Sequence, residues 1–146
     1  MVRRTVQGSS GRHRTVDLFM YTIIVESSFC AVHHVRLPDG SPERPHGHDW
    51  AVRAFFSRPT LDHADMVIDF ERARGVLDRV LAGWCHAVLN DLAEFAGVNP
   101  TAEAVARKVF DKVRAAGIAS VRRVEVTEAP GCVAIFESSE PRGAER

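Results

Sequence analysis

Residues 42–57 read PERPHGHDWAVRAFFS. The first part is turn chemistry, with Pro42 and Pro45 around a charged pair, and the second is β-branched and aromatic. A strand therefore begins at the histidines. Successive strand side chains point to opposite faces, so His46, His48, Trp50, Val52 and Ala54 share one. Two imidazoles open a row that is otherwise apolar, and Glu43 stands three residues upstream of the first.

On the N-terminal side, MYTIIVESSFCAVHHV (20–35) has strand composition. The loop LPDGSPERP would fold it back on the first stretch as a hairpin. That places His33 beside His46, on the same face as Phe29 and Ala31, while His34 faces the other way. On the C-terminal side a polar loop, SRPTLDHAD, leads into a helix. Phe70, Ala73, Leu77, Val80, Leu81 and Trp84 keep its helical period. Residues 85–98 read as a connection with local helix. NPTAEAVARKVFDKVRAAG is a second helix, with Asn99 as cap, Pro100 in the first turn and Gly117 at the end. Its apolar stripe is Val105, Ala106, Val109, Phe110 and Val113. VRRVEVTE, the turn APG and CVAIF form a closing hairpin. The order ββααββ predicts an α+β fold, an antiparallel four-stranded sheet with both helices on one face. Residues 1–19, rich in Arg, Ser and Gly, are expected to be a flexible N-terminal tail, with Met20 a candidate native start. The domain is then 20–137, and 138–146 a polar C-terminal tail.

With 146 residues, 45% hydrophobic and 26% charged, the chain fits one domain of ordinary globular composition. Lys+Arg and Asp+Glu total 19 each. This balance gives no reason to expect nucleic acid or an anionic membrane as partner. No apolar run reaches membrane-spanning length. Cys30, Cys85 and Cys132 lack CxxC spacing, so free thiols in a reducing cytoplasm are expected.

Three features carry chemistry. His46 and His48, with His33 as third candidate, offer the neutral nitrogen ligands of a zinc site with an open position. The spacing alone fits a surface turn equally well. Gly47 is expected to let the backbone approach whatever they hold. Glu128 ends the apolar row of Val124 and Val126. Such a carboxylate needs a partner, either solvent or a ligand's paired N–H edge. Cys85 and His86 combine a thiol with an imidazole, as a nucleophile and its base do. Adjacent residues rarely face each other, so a buried thiol beside a partly exposed histidine is expected instead.

Together FCAVH, PHGHDW, VIDF, HAVLND, NPTAE and VTE resemble, in order, the motifs of the 6-pyruvoyltetrahydropterin synthase family, which includes the 6-carboxytetrahydropterin synthases of queuosine biosynthesis. The resemblance spans about residues 20–136. It implies the tunnelling fold, whose subunits join edge to edge into a barrel as a trimer or hexamer. It also implies Zn2+ held by His33, His46 and His48, a pterin anchored by Glu128 with Thr101 nearby, and 7,8-dihydroneopterin triphosphate as substrate.

Two departures qualify the reaction. The family's cysteine before HGH is missing, and Glu43 stands in an E-x-x-H-G-H arrangement. This resembles the subgroup that cleaves the side chain to 6-hydroxymethyl-7,8-dihydropterin. The family's Asp–His pair is here Cys85 and His86, while Leu61–Asp62–His63 spells the same motif in another loop. The leading expectation is a zinc-dependent lyase with Glu43 as base and His86 as proton relay. The alternatives are a same-fold enzyme on another pterin or purine-like substrate, and a zinc-containing pterin-binding protein.

Overall fold

The computed structural model describes residues 2–7 and 13–138, with side chains from Phe19 onward. Its strands are β1 (Val2–Gln7), β2 (His13–Leu18), β3 (Tyr21–His33), β4 (His46–Arg58), β5 (Val121–Ala129) and β6 (Cys132–Glu137). The helices α1 (Phe70–Ala82) and α2 (Ala102–Ala115) lie between β4 and β5. β3 to β6 form one antiparallel sheet in sequential order. The expected ββααββ core is therefore present. β1 and β2 pair as a separate antiparallel ladder, from Val2 opposite Leu18 to Gln7 opposite His13. This pairing falls within the stretch read as a flexible N-terminal tail, of which residues 1 and 8–12 lie outside the described residues. The C-terminal tail lies outside the described residues beyond Ser138.

The core is the face expected from alternation. Phe29 and Ala31 of β3, Trp50, Val52, Ala54 and Phe56 of β4, and Val124 and Val126 of β5 are all buried. Both helices cover that face, α2 over β5 and β6 and α1 over β3. α1 buries Ala73, Val76, Leu77 and Leu81. Phe70, read as a member of the stripe, is 59% exposed because it is the first helical residue and lies off the buried side. Asp69 caps α1 by accepting from the Arg72 N–H at 2.8 Å.

Thr101 caps α2, not Asn99. The Asn99 side chain is occupied by the Arg36 backbone, accepting from its N–H at 2.8 Å and donating to its C=O at 2.9 Å. Gly117 does end α2. At φ 87° it occupies the left-handed region that glycine enters without penalty. Its N–H bonds the Arg114 carbonyl while Ile118 N–H reaches Val113, the paired bonds of a Schellman end. Residues 85–98 contain two short 3-10 turns, Leu89–Asp91 and Ala93–Phe95.

The other face of the sheet carries charge. Arg53 bridges Glu26 at 2.7 Å and Glu125 at 2.9 Å, and Arg123 also pairs with Glu125. Among the described residues no helix is long and apolar enough to cross a membrane.

Leu77→Ala should cost about 2–5 kcal/mol in urea unfolding, the range for truncating a fully buried leucine. Phe70→Ser should change stability by about 0.5 kcal/mol or less. Equal losses in the two variants would contradict the helix face described here.

Candidate metal centre and ligand cavity

The β3–β4 register pairs His33 with His46 and Ala31 with His48, so the three imidazoles meet at one end of the core face. Their ring centroids are 4.6, 5.2 and 4.8 Å apart. Trp50 forms the floor, edge-on to His33 at 4.8 Å. One nitrogen of each ring lies within 4.8 Å of the other two.

Backbone carbonyls set the tautomers. His33 Nδ1 is 2.8 Å from the Pro100 oxygen, and His46 Nδ1 is 2.9 Å from the Arg44 oxygen. A carbonyl can only accept, so each Nδ1 carries a hydrogen, which leaves Nε2 as the ligand atom of the neutral ring. This is the outer-shell bond that orients metal-binding histidines. Burial lowers the pKa of His33, although the Pro100 carbonyl and the Glu128 charge oppose it. The ring is therefore neutral near pH 7, the form that ligates a metal.

His33 is 2% exposed, and its Nε2 is buried without a hydrogen-bond partner. Glu128 Oε1 nevertheless lies 3.0 Å from it and 4.0 Å from His48 Nε2. On the neutral His33 ring this sets a lone pair against a carboxylate oxygen, two acceptors facing each other. A cation between them would satisfy both. The donor set, three imidazoles with a nearby carboxylate, fits a zinc-type ion.

Glu43 approaches from the loop before β4. Its N–H bonds the Val35 carbonyl at 2.9 Å, and its carboxylate accepts from Val35 N–H at 3.4 Å and lies 3.9 Å from His46 Nδ1. Glu43, Glu128, Thr101 and the three histidines line one cavity of about 630 Å³. Thr101 is also the α2 cap, accepting from Ala104 N–H at 3.3 Å. Cys132 and Glu103 line the cavity too, and the sequence reading missed both. The signal for Cys132 was the tight turn after Glu128, since a hairpin there returns its first residue beside Ala129. Gly47 is not required by crowding. An added Cβ would meet Val32 at 3.6 Å and Ala31 O at 3.8 Å, ordinary contacts.

Cys85 and His86 line no part of this cavity in the same chain. They sit against the outer edge of β3, where His86 N–H bonds the Cys30 carbonyl at 2.7 Å. The expectation that they face apart is corrected. His86 takes the left-handed region at φ 59°, and its Nδ1 lies 3.5 Å from Cys85 Sγ. Cys85 is exposed, not buried. Asp62 of the second L-D-H locks a turn, accepting from Ala64 and Met66 N–H, and those bonds hold its carboxyl below the usual range.

Residues 22–139 match the family model described as 6-pyruvoyl tetrahydropterin synthase, and the chain belongs to that family. It is 32% identical over 114 residues to the 6-carboxy-5,6,7,8-tetrahydropterin synthase of Synechocystis sp., covering 75% of this chain and 87% of the relative. The 6-pyruvoyl tetrahydropterin synthase of Caenorhabditis elegans has a similar structure, with TM-score 0.73 and 20% identity over 84% of this chain and 98% of the other. A Plasmodium vivax 6-pyruvoyltetrahydropterin synthase with a catalytic residue, a glutamate, replaced by alanine superposes with TM-score 0.65 at 15% identity, covering 82% and 98%. These superpositions establish the shared fold.

The lowered His33 pKa has a consequence for the metal-free protein. Between the lowered folded value and pH 6.5 the unfolded chain binds a proton at this residue that the folded chain does not. Its contribution to stability is complete above pH 6.5 and is lost as pH falls through the folded value. Thermal unfolding of metal-free protein should show this acid-side slope, and His33→Asn should flatten it.

Proposed function

We propose that this chain is a zinc-dependent lyase acting on the side chain of 7,8-dihydroneopterin triphosphate or a related dihydropterin. In this reading the product is 6-hydroxymethyl-7,8-dihydropterin. One observation carries it: three convergent imidazoles, a loop glutamate and a second carboxylate share a single cavity. The curated relative's name, a tetrahydropterin synthase, supports the substrate class. The catalytic glutamate of the Plasmodium vivax enzyme supports glutamate as a working group in this fold.

His33, His46 and His48 would hold the ion, which supplies Lewis acidity toward the side-chain hydroxyls. Glu128 would anchor the pterin's paired N–H groups, the hydrogen-bond pattern a carboxylate accepts best. Thr101 would bound the ring's position at the start of α2. Glu43 is the base. It accepts the 2′-hydroxyl proton, and the C1′–C2′ bond breaks as C2′ becomes a carbonyl. The electron pair passes to the ring imine and C1′ takes up a proton. Such a retro-aldol step balances without an oxidant. Its base needs to reach a hydroxyl in the cavity, and Glu43 lines it. His86 lines no part of the Glu43 cavity, so the expected relay is not assembled by one chain. A trimer or hexamer belongs to the same reading, because pairing the β3 and β6 edges between copies would cover both.

The test is anaerobic incubation of zinc-loaded protein with 7,8-dihydroneopterin triphosphate, with products identified by mass spectrometry. Wild type should release 6-hydroxymethyl-7,8-dihydropterin. Glu43→Gln should lower kcat by about 10²–10⁴-fold, the range for losing a general base, while dihydropterin binding persists. Glu128→Ala should weaken that binding. Unchanged turnover in Glu43→Gln would remove this residue from the chemistry. Substrate returned intact by zinc-replete wild type would favour the binding-protein alternative.

A further inference from the structure

We infer that Cys30, Cys85 and His86 form a second metal site, thiolate-rich and separate from the three histidines. Two thiol sulfurs and one ring nitrogen lie within 4.8 Å of one another. Donors around a tetrahedral zinc-type ion with Zn–S near 2.3 Å stand roughly 3.5–3.8 Å apart. Cys85 Sγ and His86 Nδ1 already meet that spacing at 3.5 Å. The remaining closure is about 1.3 Å at most, within reach of a χ1 adjustment at an exposed cysteine.

Three constraints set the cluster's geometry. Cys30 is on a regular strand, with its side chain on the sheet face opposite the core. Its carbonyl receives the His86 N–H at 2.7 Å, and Val32 N–H donates to the Ala87 carbonyl at 2.9 Å. These two bonds dock residues 86–87 along the β3 edge. The positive φ of His86 then turns the ring toward Cys85.

Asp49 lies directly across the ladder from Cys30 and lines the same shallow cavity with His86. It offers a carboxylate or a held water for a fourth position. Two thiolates and one neutral imidazole balance a divalent charge. As a softer donor set than three imidazoles, they favour zinc-class ions over calcium or magnesium. Within one chain none of its three ligands lines the Glu43 cavity, although His48 borders both cavities, and an ion here would occupy the His86 ring expected as proton relay.

Co2+ titration of the full-length, fully reduced protein separates the two centres. A nitrogen-ligated ion gives no thiolate-to-cobalt charge-transfer band, whereas this cluster does. Wild type should bind two equivalents and show that near-ultraviolet band. Cys30→Ser and Cys85→Ser should each abolish the band and leave one equivalent bound. Cys132→Ser and the double variant His46→Ala/His48→Ala should retain it. In wild type, metal should slow alkylation of Cys30 and Cys85 but not of Cys132, a readout that needs no variant to fold. A wild type without the band, a band surviving both Cys30→Ser and Cys85→Ser, or equal alkylation with and without metal would overturn the inference. Failure of the lyase assay would leave these readouts unchanged.

Discussion

The hydrogen bond from His33 Nδ1 to the Pro100 carbonyl, 2.8 Å long and buried, joins the end of β3 to the approach of α2. It satisfies a ring nitrogen that would otherwise cost about 1–3 kcal/mol as an unpaired buried group. It also decides the tautomer, so the lone pair at Nε2 faces His46, His48 and Glu128. Without it the ring could present an N–H to the cavity, and the three-nitrogen set would lose a ligand. The local sequence around Pro100 serves this bond. Asn99 clamps the Arg36 backbone, and Thr101 caps the helix. Both place the intervening carbonyl over β3.

From that anchor the sheet register does the rest. A one-residue slip would send every β4 side chain to the opposite face. The observed pairing keeps His46 and His48 beside His33, over the same apolar floor as Trp50. The Glu128 carboxylate is brought 3.0 Å from the unpartnered His33 Nε2 and 4.0 Å from His48 Nε2. Converging acceptors of this kind are resolved by a positive charge. The strand order thus collects candidate ligands distant in sequence and leaves an electrostatic requirement that a divalent cation would meet.

Much of this was legible in residue order. Alternation along 46–54 identified the core face, and hairpin reasoning brought His33 to His46. The α2 stripe is buried as read. Errors occurred where tertiary partners override local rules. Asn99 has a good capping side chain, but the Arg36 backbone claims it. Phe70 fits the helical period, but a first residue lies at the margin of the buried face. The Cys85–His86 contact depends on a positive φ at a non-glycine residue, which spacing does not signal. Cys30 joins that pair only because residues 86–87 dock on the β3 edge, a long-range pairing with no local signature. Cys132 enters the cavity through the shortness of the final turn. The ladder of β1 and β2 lies in a stretch whose Arg, Ser and Gly content masks its alternation.

Crystallography of the zinc-soaked protein with anomalous scattering at the zinc edge tests the central claim most directly. The account predicts an anomalous peak about 2.0–2.1 Å from the Nε2 atoms of His33 and His46 and from one ring nitrogen of His48. The His33 Nδ1 bond to Pro100 should be retained. A cavity without that peak at full zinc loading, or an ion held there without His33, would contradict it.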